Sequence, residues 1–173
     1  NNTTGDLNTA VGYGALASNL VGDRAVAVGV GSLGSQAPTS GDTYNVAVGY
    51  STLSTLNTAG VGNNTAIGAV AGTAMTTGTN NTLVGGGAGD ALTTGEGNVA
   101  LGAQALSTET TGGKNTAIGA RSQEDVNNNG NGNNTSVGFE SMLNASTAIG
   151  NTAIGSSAIG GGVMTGDFNT AVG

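Results

Sequence analysis

The chain has 173 residues, of which 34 are glycine and only 8% are charged, and its formal net charge is −7. The three basic residues, Arg24, Lys114 and Arg121, cannot form the basic stripe that nucleic acid requires, and no apolar run reaches the roughly 20 residues that cross a bilayer. We therefore expect no nucleic-acid partner and no membrane insertion. The sequence contains neither Cys nor His, which excludes disulfides, thiolate metal sites and the commonest catalytic base.

One five-residue phrase recurs along the whole chain: a polar residue, usually Asn, then Thr or Val, Ala, an aliphatic residue, and Gly. Ten copies run from "NTAVG" at 8–12 to "NTAVG" at 169–173, and their glycines lie 17–20 residues apart. Residues 1–173 thus form one repetitive segment. The asparagines are Asn8, Asn45, Asn64, Asn81, Asn98, Asn115, Asn134, Asn151 and Asn169. The glycines are Gly12, Gly29, Gly49, Gly68, Gly85, Gly102, Gly119, Gly138, Gly155 and Gly173.

The repeat predicts strands, because five residues are too short for a useful helix and glycine returns too often for a longer one. Each unit reads as a short strand, a Gly corner, a second short strand and a turn rich in Thr and Gly. A unit of this length suits one coil of a solenoid. The sequence therefore predicts an all-β, parallel β-solenoid of about ten coils, in which equivalent Asn and Gly residues stack into ladders.

Two details of this fold are less determined. Within the phrase, Thr or Val shares a face with the later aliphatic residue, and we expect this pair to point inward and Ala to point outward. Near the end, three copies crowd together at Gly150, Gly155 and Gly160, so the register of that coil is open.

Each coil has few large apolar side chains to bury, which predicts self-association of the rods.

The phrases "NTAIG", "NVAVG" and "NVALG" resemble the "NSVAIG" repeats in YadA-like heads of trimeric autotransporter adhesins. The fuller unit "NTAVGYGALASN" at 8–19, with the turn "TTGGKN" at 110–115, is similar to repeats of bacteriophage tail-fibre proteins. The resemblance implies a left-handed β-roll, three chains around one axis, an extracellular location and a role in attachment. The coils of the adhesin heads are shorter, so the resemblance implies longer outer turns here.

From these features we expect a structural fibre segment, the shaft or head of a cell-surface or phage-tail attachment fibre. The alternatives are a passive filament with recognition elsewhere and an ice-binding solenoid. The expected partners are further copies of the chain, as a homotrimer or filament, and a host receptor or glycan. "GDLNTAVG" at 5–12 and "GDFNTAVG" at 166–173 are nearly the same phrase, so we expect both ends to continue into more fibre or a neighbouring subunit.

The sharpest local motif is "DVNNNG" at 125–130, which matches the first half of a calcium loop with Asp125, Asn127 and Asn129 as candidate ligands. The complete loop needs a Glu six residues after the glycine, where this chain has Ser136. The motif therefore favours a lengthened Asn/Gly-rich loop over a metal site.

Three of the five aromatic residues, Tyr13, Tyr50 and Phe139, follow a repeat glycine directly. If this position faces outward, these rings are candidates for recognition of a receptor sugar by stacking. The alternative, which we favour from the sequence, is that they fill gaps between neighbouring chains or coils.

Threonine recurs at the second position of the phrase, and regular Thr on a solenoid face is also a property of some ice-binding proteins. The phrase offers one Thr and not a Thr-x-Thr pair, and we expect this Thr to point inward, which disfavours ice binding. The residues are Thr9, Thr65, Thr82, Thr116, Thr135, Thr152 and Thr170.

The sequence predicts no enzyme and no cofactor. A nucleophile has no His or Cys partner here, and the adjacent carboxylates Glu124 and Asp125 should diverge on an extended segment. The glycine-rich phrases match neither a phosphate-binding loop nor a dinucleotide fingerprint.

Overall fold

The computed structural model describes residues 2–39, 41–127, 130–161 and 165–173. Within these residues, ten strands of three residues form one parallel sheet in which neighbours in sequence are neighbours in space. The strands are β1 (Thr9–Val11), β2 (Val26–Val28), β3 (Val46–Val48), β4 (Thr65–Ile67), β5 (Thr82–Val84), β6 (Val99–Leu101), β7 (Thr116–Ile118), β8 (Thr135–Val137), β9 (Thr152–Ile154) and β10 (Thr170–Val172).

The stacking confirms the predicted all-β parallel solenoid. Each strand pairs in register with the next, so Ala27 lies beside Ala47 and Ala100 lies beside Ala117. We number each coil by its strand. Within the crowded end of the chain, the copy that ends at Gly155 supplies β9, which pairs with β8 and β10.

The second phrase of each unit is not a strand, contrary to the sequence prediction. It is a ribbon of turns in which the second and fourth residues after the repeat glycine have positive φ, as at Val70 (55°) and Leu53 (48°). Left-handed residues cannot continue an extended strand. The ribbon nevertheless joins the coils, because Val70 N–H donates to the Tyr50 carbonyl at 2.8 Å and Leu53 N–H donates to the Ala71 carbonyl at 3.0 Å.

The interior of the solenoid is filled by the central strand residue and by the ribbon. Ala66 and Ala100 are completely buried, whereas Ile67 and Leu101 in the same strands are 42% and 46% exposed. The expected orientation was therefore wrong: Ala points inward, and the Thr or Val and aliphatic residues point outward. The physical reason is volume, since large ribbon side chains such as Leu53 already occupy the thin interior.

In coil 5 the large buried side chain lies in the strand and the small residue lies in the ribbon, the reverse of most coils. The central strand residue is Leu83, where most coils have Ala, and the fourth ribbon residue of coils 4 and 5 is Gly72 or Gly89. A β-carbon on Gly89 would lie 2.9 Å from side-chain carbons of Leu83 and Leu92. Leu83 therefore occupies the space that ribbon leucines such as Leu106 fill in other coils.

The asparagine that opens each phrase forms a buried ladder along the solenoid. The Oδ1 atom of Asn81 accepts the backbone N–H of Asn98 at 2.9 Å, and Asn98 does the same for Asn115 at 3.0 Å. The Nδ2 atom of Asn98 also donates to the Gly112 carbonyl at 2.9 Å. The ladder thus satisfies backbone groups that the three-residue strands leave unpaired.

Coil 2 interrupts this ladder, since it has Ala25 at the asparagine position. In the next coil, Asn45 Nδ2 donates to Gln36 Oε1 at 3.0 Å, so a glutamine of coil 2 supplies the missing acceptor. The other described ladder asparagines between coils 4 and 9 are completely buried.

We expect Asn98→Ala to lower the free energy of unfolding by about 1–3 kcal/mol, because the Asn115 N–H and the Gly112 carbonyl lose a partner inside the solenoid. Urea unfolding measures this difference. Thr94→Ala, at an exposed turn position of coil 5, is the control and should change little. Equal unfolding midpoints for the two variants would contradict a stabilising ladder.

Candidate functional site: the outer face of the sheet

The outward strand residues form a continuous uncharged surface, which we call the outer face. Its composition is entirely Thr, Val, Ile and Leu. One row contains Thr9, Val26, Val46, Thr65, Thr82, Val99, Thr116, Thr135, Thr152 and Thr170. The other contains Val11, Val28, Val48, Ile67, Val84, Leu101, Ile118, Val137, Ile154 and Val172.

Large aliphatic side chains remain exposed on this face in the middle of the solenoid. Ile67, Leu101 and Ile154 are 42%, 46% and 44% exposed, although each strand is paired on both sides. The two rows repeat with the strand spacing of about 4.8 Å. An extended apolar surface of this kind marks an interaction site more often than an ordinary solvent face.

The aromatic candidates border the outer face at the corner where each strand ends. Tyr13, Tyr50 and Phe139 are 87%, 61% and 51% exposed, and Val30 lies between the two tyrosines in the stack at 47%. These rings therefore do not fill gaps between coils of the same chain. The interpretations that stay open are a contact with a neighbouring chain and recognition of a sugar.

The candidate calcium ligands are only partly within the described residues. Asn129 lies outside them, and Asn127 uses its Oδ1 atom to accept the Thr110 hydroxyl at 3.0 Å. The Asp125 N–H donates to the Leu143 carbonyl at 2.9 Å, as a coil-to-coil bond. Among the described residues, no group of three or more acidic, His or Cys side chains could hold a metal ion.

Two ion-pair groups lie outside the two rows of the outer face. Arg24 pairs with Asp42, and its guanidinium lies 5.8 Å from the Tyr44 ring centroid, while the Tyr44 hydroxyl donates to Asp42 at 2.8 Å. Arg121 pairs with Glu124 and Glu140, and these carboxylates hold the pKa of Arg121 above its ordinary value. Glu124, one of the two adjacent carboxylates of the sequence, thus pairs with a cation.

Asp90 lies in an environment that is unfavourable for its charge. Partial burial raises the pKa of its carboxyl, and hydrogen bonds from the backbone at Asp90 and Ala91 offset this only in part. A raised pKa means that the folded state binds the proton more tightly than the unfolded state does. The Asp90 contribution to stability is therefore lost as pH rises through its folded-state pKa.

We expect Asp90→Asn to raise the free energy of unfolding at neutral pH by less than about 1 kcal/mol, because the site is largely solvent-screened. The difference from wild type should vanish near pH 3, below the ordinary Asp pKa of about 3.9. Thermal unfolding at several pH values measures it. A variant less stable than wild type at neutral pH would contradict the sign.

The fold belongs to the class of parallel β-solenoids. No family model matches the chain, and no curated protein or solved structure matches it. Within the described residues, no helix is long and apolar enough to cross a membrane.

Proposed function

We propose that this chain is a structural fibre segment, the shaft or head of an attachment fibre on a cell surface or in a virion tail. Its role is mechanical: the number of coils sets the length, and the hydrogen-bond ladders set the stiffness. The observation that supports this most is the outer face, which repeats along ten in-register strands and carries exposed aliphatic side chains.

The occupant that fits this face best is a second copy of the chain. A partner must match a surface that repeats every 4.8 Å or so, and another copy has that repeat by construction. The ten acids of the chain lie outside the two rows, so parallel packing of copies brings no like charges together on the face. Three copies around one axis, as in the resembling adhesin heads, would enclose all three faces.

The face variants Ile67→Lys and Leu101→Lys test this packing. Lysine on a strand stays solvated in a monomer but would be desolvated between chains, so we expect the double variant to sediment as a smaller species than wild type. Thr77→Lys and Thr94→Lys, at exposed turn positions of coils 4 and 5, form the matched control. Equal sedimentation of wild type and both double variants would contradict the interface.

The proposed fibre would recognise its host through residues other than those of the two rows. Tyr13, Tyr50 and Phe139 are the candidates for contact with a host receptor or glycan, because their rings border the face and are accessible. A passive shaft that relies on another domain for binding would not adhere to host cells alone. Adhesion of the wild-type chain that is lost in the triple alanine variant would distinguish the two forms of the fibre.

Ice binding is the second candidate, and one observation favours it. The repeat threonines lie on the outer face and not inside, so one of the two reasons that disfavoured ice binding does not hold, whereas the lack of a Thr-x-Thr pair in each strand remains. A face used for chain packing is unavailable to ice, which separates the two functions. An ice-recrystallisation assay on a monomeric fraction, with Thr82→Lys/Thr116→Lys as the inactive control, tests this candidate directly.

A further inference from the structure

The interior of the solenoid changes character between coils 5 and 8. In coil 5 the central strand residue Leu83 and the residues Ala88, Gly89 and Leu92 that follow it are buried. The corresponding positions of the next three coils include five completely buried polar residues, namely Glu109 in coil 6, Ser122 and Gln123 in coil 7, and Ser136 and Ser141 in coil 8. We call these five residues the polar layer.

The polar layer divides the apolar core into two separate clusters. One cluster extends from Leu16 to Ala117, and the other from Val126 to Ala158. The coils on either side of this division meet through Gln123 and Met142 in the ribbon and through Ala117 and Ser136 in the strands. The division passes through coil 7, because Ala117 belongs to the first cluster and Val126 to the second, and the polar residues interrupt the apolar contact there.

Hydrogen bonds satisfy Gln123 only in part, whereas Glu109 Oε1 accepts the backbone N–H groups of Thr110 at 3.0 Å and Gly112 at 2.7 Å. Gln123 Nε2 donates to the Thr116 carbonyl at 2.8 Å and to Ser136 Oγ at 3.0 Å, and Ser122 Oγ bonds to Ser136 Oγ. Gln123 Oε1 is buried without a hydrogen-bond partner. A buried acceptor without a partner costs free energy that the leucine found at this position in coil 6, Leu106, would not.

The ion pair on the surface beside the polar layer contributes little to the coupling between coils 7 and 8. Arg121 joins coil 7 to Glu140 of coil 8, but its side chain is 41% exposed. Exposed ion pairs contribute little to stability and are screened by salt. The backbone ladder continues through the layer, so the coils remain stacked while their side-chain coupling is reduced.

From these observations we infer that the solenoid unfolds as two cooperative units joined at the polar layer. In a solenoid each coil contacts only its neighbours, so cooperativity passes through successive coil–coil interfaces and fails first where one is weak. The unit with β8 and β9 opens before the longer unit that contains β3 to β6. In a fibre under load, the layer is where the shaft yields.

Hydrogen exchange read by mass spectrometry, on the chain in its native assembly, tests this inference. We expect β8 and β9 peptides to exchange through an opening at least about tenfold more populated than that of β2 and β3, which lie equally far from the other end. Gln123→Leu/Ser136→Ala restores the residues common at these positions and should reduce this difference at least about tenfold. Ser136→Ala alone removes an acceptor of Gln123 Nε2 and the partner of Ser122 Oγ, so it should increase the difference.

Two results would overturn the inference. Equal exchange of the two regions in wild type would show one cooperative unit. A difference that neither variant changes would assign the faster exchange to the chain end and not to the layer.

Discussion

Gly85→Ala should destabilise the solenoid by about 3 kcal/mol or more, the largest effect we expect from adding a single methyl group. Gly85 directly follows β5 and has φ of 140°, and a β-carbon there would lie 2.5 Å from the carbonyl carbon of Gly102 in the next coil. The atoms that this β-carbon would meet belong to the backbone of Gly102 and Ala103, which cannot rotate away as a side chain can. The ladder glycines are therefore needed for close stacking of coils as well as for their dihedral angles.

Gly86→Ala is the matched control for this variant. Gly86 is the next residue, is exposed, and has open space where a β-carbon would lie. Chemical unfolding should show a large loss for Gly85→Ala and a change within about 0.5 kcal/mol for Gly86→Ala. Similar unfolding midpoints for the two variants would contradict the close backbone approach between coils 5 and 6.

The second large effect concerns the exchange of volumes in coil 5. Leu83→Ala should cost about 2–5 kcal/mol, because a completely buried leucine leaves a cavity. Gly89→Leu should also be strongly destabilising, because the added side chain meets Leu83 and Leu92. Its backbone is not the cause, since Leu106 holds a leucine in the same left-handed conformation, with φ of 57° against 56° at Gly89.

The double variant Leu83→Ala/Gly89→Leu should be more stable than either single variant, because the new leucine enters the space that Leu83 vacates. A double-mutant cycle by urea unfolding gives the coupling, which we expect to be about 2–3 kcal/mol. Additive losses from the two single variants would show that the two positions do not share one volume.

The fold could be predicted because the repeat itself states the period. Ten phrases of near-constant spacing indicate one short strand per coil, and a unit of this length is too short for paired-helix repeats. The handedness that the resemblance implies, and the number of chains, stay predictions. The ribbon could not be predicted as turns, since Leu53, Val70 and Gln104 are residues that rarely adopt positive φ.

The predicted orientation of the strand side chains was wrong, because the residues of the phrase do not determine which side faces inward. In "NTAIG" at 64–68, Ala66 and the pair Thr65 and Ile67 are all compatible with a buried face, so alternation alone does not decide which side is inside. The volume of the ribbon side chains decides it, and this depends on the folded coil. The outer face was therefore missed as a candidate site.

The volume exchange in coil 5 and the polar layer could have been predicted from departures from the repeat consensus. Leu83 departs from the usual Ala in its phrase, and Gly72 and Gly89 depart from the usual Leu in theirs. Gln123 and Ser136 depart from the same two positions toward polarity. Aligning the ten units by their glycines would have paired these departures and indicated both the volume exchange and the polar layer.

The native molar mass of the purified chain, measured by multi-angle light scattering, tests the central proposal most directly. Packing of the outer face between copies predicts a stable multiple of the 16.3 kDa chain mass, and a threefold multiple for copies around one axis. A single species of 16.3 kDa at every concentration would contradict the proposal and leave the outer face open to solvent.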